Sequence, residues 1–425
     1  MSYKAIVASI ASTREIEGAD NIQIGVCSGY EVIIGKGYVA GDQGIFFEAG
    51  GQLSEEFVKQ HDLVTRRDEK GNKIGGGSFA KNRRIKAMRL RGVRSEGFWM
   101  PVSAVNYCGR VKLTEGQEFD SINGHFICDR YVTVAQEGWS RTRKVSRGET
   151  DMFRKQLDMN QLRRGASEIV DRSIVYITEK LHGTSFRYGR VLRSSNNIGR
   201  FFLRLVGQEW VYMHGSKNII LDKSTKGSWY GSESFRREAM EGVDLRKGEV
   251  LYGEIVGWYR NKQNQPALIM GAQSTSKLQE LTKVYGPEMV YDYGLREGQC
   301  KPYIYRIVIH DQEDNAIELS WFQVQKRCEE LGLEPVPVLM TMVLNHEEGN
   351  AQIERLESYV DTLVNGSDGL GVPSTLTPSH IMEGVVLRCE SAGRTLFLKH
   401  KSWVFGVMEG YLRDDARFVD REEVS

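Results

Sequence analysis

Residues 173–185 read SIVYITEKLHGTS, and this stretch decides how the rest of the chain is understood. Ser173–Thr178 is rich in β-branched and aromatic residues, the composition of a short strand. Glu179-Lys180-Leu181-His182-Gly183-Thr184-Ser185 follows directly. A lysine at a strand end, followed by a glycine turn, projects its amine into a cleft where backbone can approach a phosphate closely. The spacing Lys-x-x-Gly is weak by itself. Lys73–Gly76 and Lys283–Gly286 share it, but neither has a strand before it and small hydroxyl residues after it.

Three later segments supply the missing context. Glu249–Val256 (EVLYGEIV) alternates, so Glu254 shares a strand face with Val250, Tyr252 and Val256. A carboxylate on an otherwise buried face is costly without a partner such as a ribose hydroxyl or a hydrated metal. Glu383-Gly384-Val385-Val386-Leu387-Arg388 places a second carboxylate at the head of an apolar strand. In Leu396-Phe397-Leu398-Lys399-His400-Lys401 the two lysines fall on one face and the two leucines on the other. Two lysines so spaced suit a triphosphate. Each segment alone has an ordinary structural explanation; the ordered set of lysine, acid, acid and lysine pair is hard to obtain by chance.

The chain has 425 residues, 40% hydrophobic and 27% charged, as expected for a globular protein of two or three domains. No run of about 18 apolar residues occurs, so no membrane partner is expected. The start lacks the basic and apolar regions of a signal peptide. Six scattered cysteines without a CxxC pair, and histidines without metal-ligand spacing, predict a reduced, cytoplasmic or other intracellular protein without structural zinc. The net charge of +1 conceals local clusters. KNRRIKAMRLRGVR, from Lys81 to Arg94, carries seven basic residues and no acid, and WSRTRKVSR follows at Trp139–Arg147. Such clusters hold a phosphate backbone, although a solvated face fits them equally well.

The first hundred residues break into short strands separated by glycine: Tyr3–Ser9, Ile22–Cys27, Glu31–Ile34, Gly44–Glu48, Arg84–Leu90 and Gly97–Pro101. This predicts an α+β chain that opens with a small β-barrel of the oligonucleotide-binding (OB) kind at 1–135. Ser54–Ala80 reads as an exposed insertion and 136–150 as a linker. The remainder, 151–425, alternates strands with helices at Ser232–Glu241, Trp321–Leu331 and Ala351–Leu363. In the last helix Ile353, Leu356, Val360 and Leu363 form a core-facing stripe.

Together these segments resemble the covalent nucleotidyltransferases, the polynucleotide ligases and mRNA capping enzymes. EKLHGTS is similar to motif I of that family, with Lys180 as nucleophile, Glu179 before it and Gly183 after it. LYGEIVG resembles motif III, EGVVLR motif IV and LKHKS motif V. The histidine of EKLHGTS is closest to the RNA ligase 2 and RNA-editing ligase group. His214-Gly215-Ser216-Lys217-Asn218 resembles motif Ia, with Lys217 where arginine is usual, so a bidentate phosphate contact is not carried over. Tyr303-Ile304-Tyr305-Arg306-Ile307 resembles motif IIIa, whose aromatic stacks on adenine; Tyr305 is the first choice and Tyr303 the second. GADNIQIGVCSGYEVIIGKG and RIKAMRLRGVRSEGFWMP resemble the OB module that precedes the catalytic domain in family 5 RNA ligases. Thr150-Asp151 with Arg154 and Gln156 resembles a short element those enzymes place before motif I.

The resemblance implies an OB-like domain followed by an adenylyltransferase (ATP-grasp-like ligase) domain of antiparallel sheets and flanking helices. It implies an ATP-dependent RNA ligase joining RNA 3′-hydroxyl and 5′-phosphate ends, on a nicked duplex, with no obligate protein partner. Only 24 residues follow Lys401 (425 − 401), too few for a second barrel, and this order favours RNA ligase over DNA ligase or capping enzyme. A non-catalytic nucleic-acid-binding relative is the remaining alternative. ATP would meet Glu179, Gly183, Lys217, Glu254, Tyr305, Glu383, Lys399, Lys401 and Arg154; Arg84, Lys86, Arg89 and Arg91 would bind RNA. A free lysine, with a pKa of about 10.4, is protonated near neutrality and cannot attack. Magnesium or manganese, bound largely through water to Glu383 and Glu254, would offset the surrounding anions.

Overall fold

The computed structural model describes residues 3–132, 149–150, 152–192, 209–221, 230, 233–276, 278–344 and 350–412. The expected linker and the basic stretch Trp139–Arg147 lie outside the described residues, save Glu149 and Thr150, as does Asp151. The chain divides into two compact units, Met1–Thr133 with Glu409–Asp414, and Val134–Met408 with Asp415–Ser425. It is a mixed α+β chain in which sheet predominates.

In the first unit, β1 (Ala5–Glu15), β2 (Ile22–Cys27), β3 (Tyr30–Gly35), β4 (Gln43–Glu48) and β5 (Gly97–Pro101) run in the order β5-β4-β1-β2-β3, with Glu118–Phe119 pairing β1. A register shift between Ile10 and Ser12 bends β1 so that it serves both halves of the sheet. The Glu96 amide donates to Glu31 O at 2.8 Å, drawing the two edges together into a nearly closed barrel-like sheet. Ala8, Ile10, Cys27, Val32, Phe46 and Trp99, drawn from all five strands, pack together on one face, while Val7, Ile45 and Phe47 face the other way onto Leu53 and Phe57.

Two expectations fail here. Ser54–Ala80 is not wholly an exposed insertion: Ser54 Oγ accepts from Phe57 N at 3.0 Å and caps α1 (Glu55–Gln60), which buries Phe57 and Val58. The polar sequence around it hid a short amphipathic helix. Arg84–Leu90 is not one strand either. Only Met88–Leu90 is extended, in a hairpin with Val93–Ser95, while Ile85 turns inward and its amide donates to Gly51 O. Its alternating basic residues imitated the strand period.

The second unit holds two main sheets. The five-stranded sheet is built on β6 (Ile174–Lys180), with β7 (Thr184–Leu192), β8 (Trp210–Gly215), β9 (Glu249–Arg260) and β10 (Cys300–His310) forming most of the other. β11 (Val338–Val343), β12 (Gly384–Ser391) and β13 (Arg394–Lys401) complete the first, in the order Asn160–Gln161, β13, β12, β6, β11. The second runs Ile220–Leu221, β8, β7, β9, β10, Ala316–Glu318.

α2 (Trp321–Leu331) begins at a reciprocal capping box between Ser320 and Gln323 and ends at Gly332, whose φ of 67° suits glycine. α3 (Asn350–Asn365) presses Leu356, Val360 and Val364 onto Val175, Ile177, Val385 and Leu398. The expected helix over Ser232–Glu241 is regular only over Ser234–Glu238. Among the described residues, no helix is long and apolar enough to cross a membrane.

Candidate active site

A strand and a hairpin some two hundred residues further along the chain meet in one rung. Lys180, the last residue of β6, pairs with Gly384 of β12, which pairs with Lys401 of β13. Two residues along, Thr178, Val386 and Lys399 form the next same-face rung. The intervening Val385 and the neighbouring Leu398 point the other way, into the core. The apolar alternation that anchors the sheet therefore fixes which face the lysines occupy. Gly384 permits this closeness, since a Cβ there would lie 2.2 Å from His400 O.

Glu383, just ahead of β12, is 1% exposed and bridges two ammonium groups. Lys180 Nζ lies 2.8 Å from its Oε2 and Lys401 Nζ 2.9 Å from its Oε1, while His182 Nδ1 is 3.5 Å from Oε2. Burial pushes the Glu383 carboxyl up, but Lys180, Lys401 and His182 outweigh it and hold the group well below the usual carboxylate range. The acid is thus ionised and Lys180 is held as its counter-ion.

The turn after Lys180 is packed rather than open. A Cβ on Gly183 would lie 2.4 Å from Ile255 O, so this glycine permits close approach to β9, the strand carrying Glu254. The His182 ring is met edge-on by Tyr291 and Phe405, each 4.8 Å away, and its amide donates to the Tyr293 hydroxyl at 2.6 Å. Glu179 is buried; its Oε2 accepts from Thr375 N at 3.0 Å and Thr375 Oγ1 at 2.5 Å.

Lys180 borders a cleft of about 810 Å³, including open solvent at its mouth, also lined by Glu179, Ser185, Glu254, Tyr305, Val386 and Phe397. This size suits a small organic ligand. Glu254, 9% exposed, accepts from Ser185 Oγ at 3.1 Å. Tyr305 sits at a bulge: Tyr252 pairs with Arg306 and Gly253 with Ile304, leaving Tyr305 as the extra residue, and such bulges re-aim side chains. Tyr303, the second choice, is buried beneath Lys301 and does not line the cleft.

Sequence reasoning missed three lining residues. Trp321 opens α2, and Arg388 lies over Phe397 with its guanidinium 5.1 Å from the ring centroid and donates to Glu390 Oε1 at 2.6 Å. Arg306 completes the set, held by Glu318 at 2.8 Å. The arginine of EGVVLR was the one available signal for this wall.

Other expected residues lie elsewhere. Lys399 shares the strand face of Lys401, and neither lysine lines the cleft, nor do Lys217, Gly183 and Glu383; Lys401 and Glu383 reach its edge through Lys180. Lys217 follows Ser216, whose carbonyl accepts from buried Arg187 Nε at 2.7 Å; Arg187 also reaches the carbonyls of Ile219 and Phe153. Arg154 is half-exposed and pairs with Asp314 at 2.6 Å rather than lining the cleft. In the first unit Arg84 is 5% exposed, lying 4.9 Å from the Tyr131 ring centroid, so it is not a surface contact for RNA. Arg91 is exposed and donates to Gly18 O; Lys86 is half-buried, and Arg89 lies on the Met88–Leu90 strand.

Among the described residues no three His, Cys, Asp or Glu side chains converge on a metal position. The acidic oxygens of Glu254, beside the Ser185 hydroxyl, are hard donors that fit magnesium or manganese held mainly through water and phosphate. Glu383 is already balanced by two ammonium groups.

The sequence model of the family described as RNA ligase matches residues 173–402, more than half of the chain, and spans the segments that carry Lys180, Glu254, Glu383 and Lys401. The chain belongs to the RNA ligase family. Its fold is similar to that of Naegleria gruberi RNA ligase. A structure of that protein with AMP and manganese is 16% identical, with a TM-score of 0.56 over 95% of this chain and 97% of that one. One with ATP and manganese is 17% identical, with a TM-score of 0.57 over 94% and 98%; one with pyrophosphate gives 16%, 0.55, 97% and 98%. A comparison with curated protein sequences finds no match.

Proposed function

We propose that this RNA ligase is ATP-dependent and works through Lys180 as its nucleophile. The Lys180 amine attacks the α-phosphorus of ATP, the bond to the β-phosphate oxygen breaks, and pyrophosphate leaves. A 5′-phosphate oxygen of RNA then displaces the lysine from AMP. Finally an RNA 3′-hydroxyl attacks that 5′-phosphate, AMP leaves, and the strand is sealed. A divalent magnesium or manganese ion would neutralise charge on the phosphates. Glu254 would meet the ribose or the hydrated ion, Tyr305 the adenine face, and Lys401 with Lys399 and Lys217 the phosphates. Glu179 and Gly183 fix the turn.

The single observation supporting this reading is the Lys180–Glu383–Lys401 arrangement at the edge of the cleft. The first unit is assigned as an OB-like module that holds RNA through Lys86, Arg89 and Arg91, and the second as the adenylyltransferase domain, with the joining segment near 136–150. A nicked duplex presents both ends at once and is the assigned substrate. Among the described residues no disulfide joins the cysteines, which suits a reduced compartment.

Intact-mass and peptide mass spectrometry after incubation with ATP and manganese tests the reading. AMP is expected on Lys180, with GTP and NAD giving none, and Lys180→Ala is expected to carry no adduct. An adduct elsewhere, or none on the wild-type protein, would overturn it.

A further inference from the structure

The loop Tyr291-Asp292-Tyr293-Gly294, between Glu288–Met289 and β10, belongs to none of the segments that marked this chain as a ligase. Yet Tyr293 reaches the turn that follows the nucleophile. It is 5% exposed, and its hydroxyl is the acceptor for the His182 amide at 2.6 Å. Its backbone is held at φ 55°, a conformation a tyrosine adopts only when its surroundings impose it. Asp292 helps impose it, its Oδ1 accepting from Gly294 N at 2.9 Å. His380, buried and edge-on to Tyr293 at 4.5 Å, and tilted by 40° against Tyr291, closes the cage behind the ring.

We infer that Tyr293 is a positioning residue for the adenylylation step, its phenol fixing the Lys180-Leu181-His182 turn so that the amine faces the bound nucleotide. The β-ladder ends at Lys180, so the His182 amide needs a partner from outside the sheet, and this hydroxyl supplies it. Burial first, then the charges of Glu179 and Glu383, push this phenol well above its ordinary range, so it stays neutral and keeps its proton. The charge of Glu179 acts on this phenol through space, while Glu179 Oε1 has no hydrogen-bond partner among the described residues.

This inference rests on the reading of Lys180 as nucleophile. Tyr293→Phe removes the oxygen and keeps the ring, so the aromatic cage is preserved. The expected result is a fall of tenfold or more in the maximal rate of protein–AMP formation, with the KM for ATP changed less than twofold and the melting temperature nearly unchanged. Sealing of pre-adenylylated nicked RNA, which needs no attack by lysine, is expected to stay within threefold of wild type. Wild-type adenylylation in Tyr293→Phe, or an equal loss in both reactions, would overturn the inference. An unfolded Tyr293→Phe protein would do so too, since the hydroxyl would then be a folding determinant. Lys180→Ala, run in parallel, separates the two failures: if it still forms adduct, the nucleophile assignment itself falls.

Discussion

Glu383, at the edge of the cleft, is the carboxylate that two lysines and a histidine share. Its folded carboxyl titrates well below the ordinary value of 4.5 because two lysines and a histidine surround it. An acid depressed on folding adds stability that is whole above its unfolded value and drains away as pH falls through the native one. Melting temperatures measured from pH 7 down to pH 3 are therefore expected to fall more steeply below about pH 4.5 in wild type than in Glu383→Gln. Parallel curves would show that the bridge contributes no linkage. The sequence exposed Lys180, Glu254, Glu383 and Lys401 because each breaks an apolar pattern. Tyr293 and Trp321 stayed invisible, since an aromatic residue in a folded domain usually just fills core. Arg84 misled for the opposite reason: a basic residue in a basic run reads as surface, whereas here its guanidinium is buried near Tyr131.

Elements with strong local signals were legible to within a residue or two. Trp321–Leu331 matched its expected bounds because Ser320 opens it and Gly332 closes it. Ser320→Ala breaks the capping box and is expected to cost about 1 kcal/mol. That corresponds to a melting shift of about 2 °C in a domain of this size, measurable by calorimetry. Because Trp321 lines the cleft and its amide donates to Glu390 Oε1 at 2.6 Å, loosening this first turn also touches the Arg388 wall. Strands β6, β9, β12 and β13 were legible from apolar alternation. Register was not. That Lys180 stands opposite Gly384, and so in one rung with Lys401, depends on pairing between segments some two hundred residues apart. Arg84–Leu90 failed because Ile85 is drawn into the core, its amide donating to Gly51 O, and only Met88–Leu90 finds a pairing partner, in Val93–Ser95.

At the scale of the molecule, the near-zero net charge hides the basic run Lys81–Arg94 of the first unit, where the proposed RNA contacts lie. Titration of nicked RNA against Lys86→Ala combined with Arg91→Ala is expected to show weaker binding and a shallower salt dependence, with protein–AMP formation unchanged. Arg84→Ala is expected instead to lower the melting temperature, because it empties a buried site. A matching drop in RNA affinity without any loss of stability would reverse that assignment. The rung that joins residues 180, 384 and 401 also sets a timetable. Contacts so distant along the chain form late, after the loops between them have closed. A ribosome that has made Lys180 still has two hundred residues to translate before the partners of that lysine emerge. On the proposed mechanism the nascent chain is inert toward ATP for most of its synthesis, and a product cut short before Gly384 would hold the proposed nucleophile without its partners.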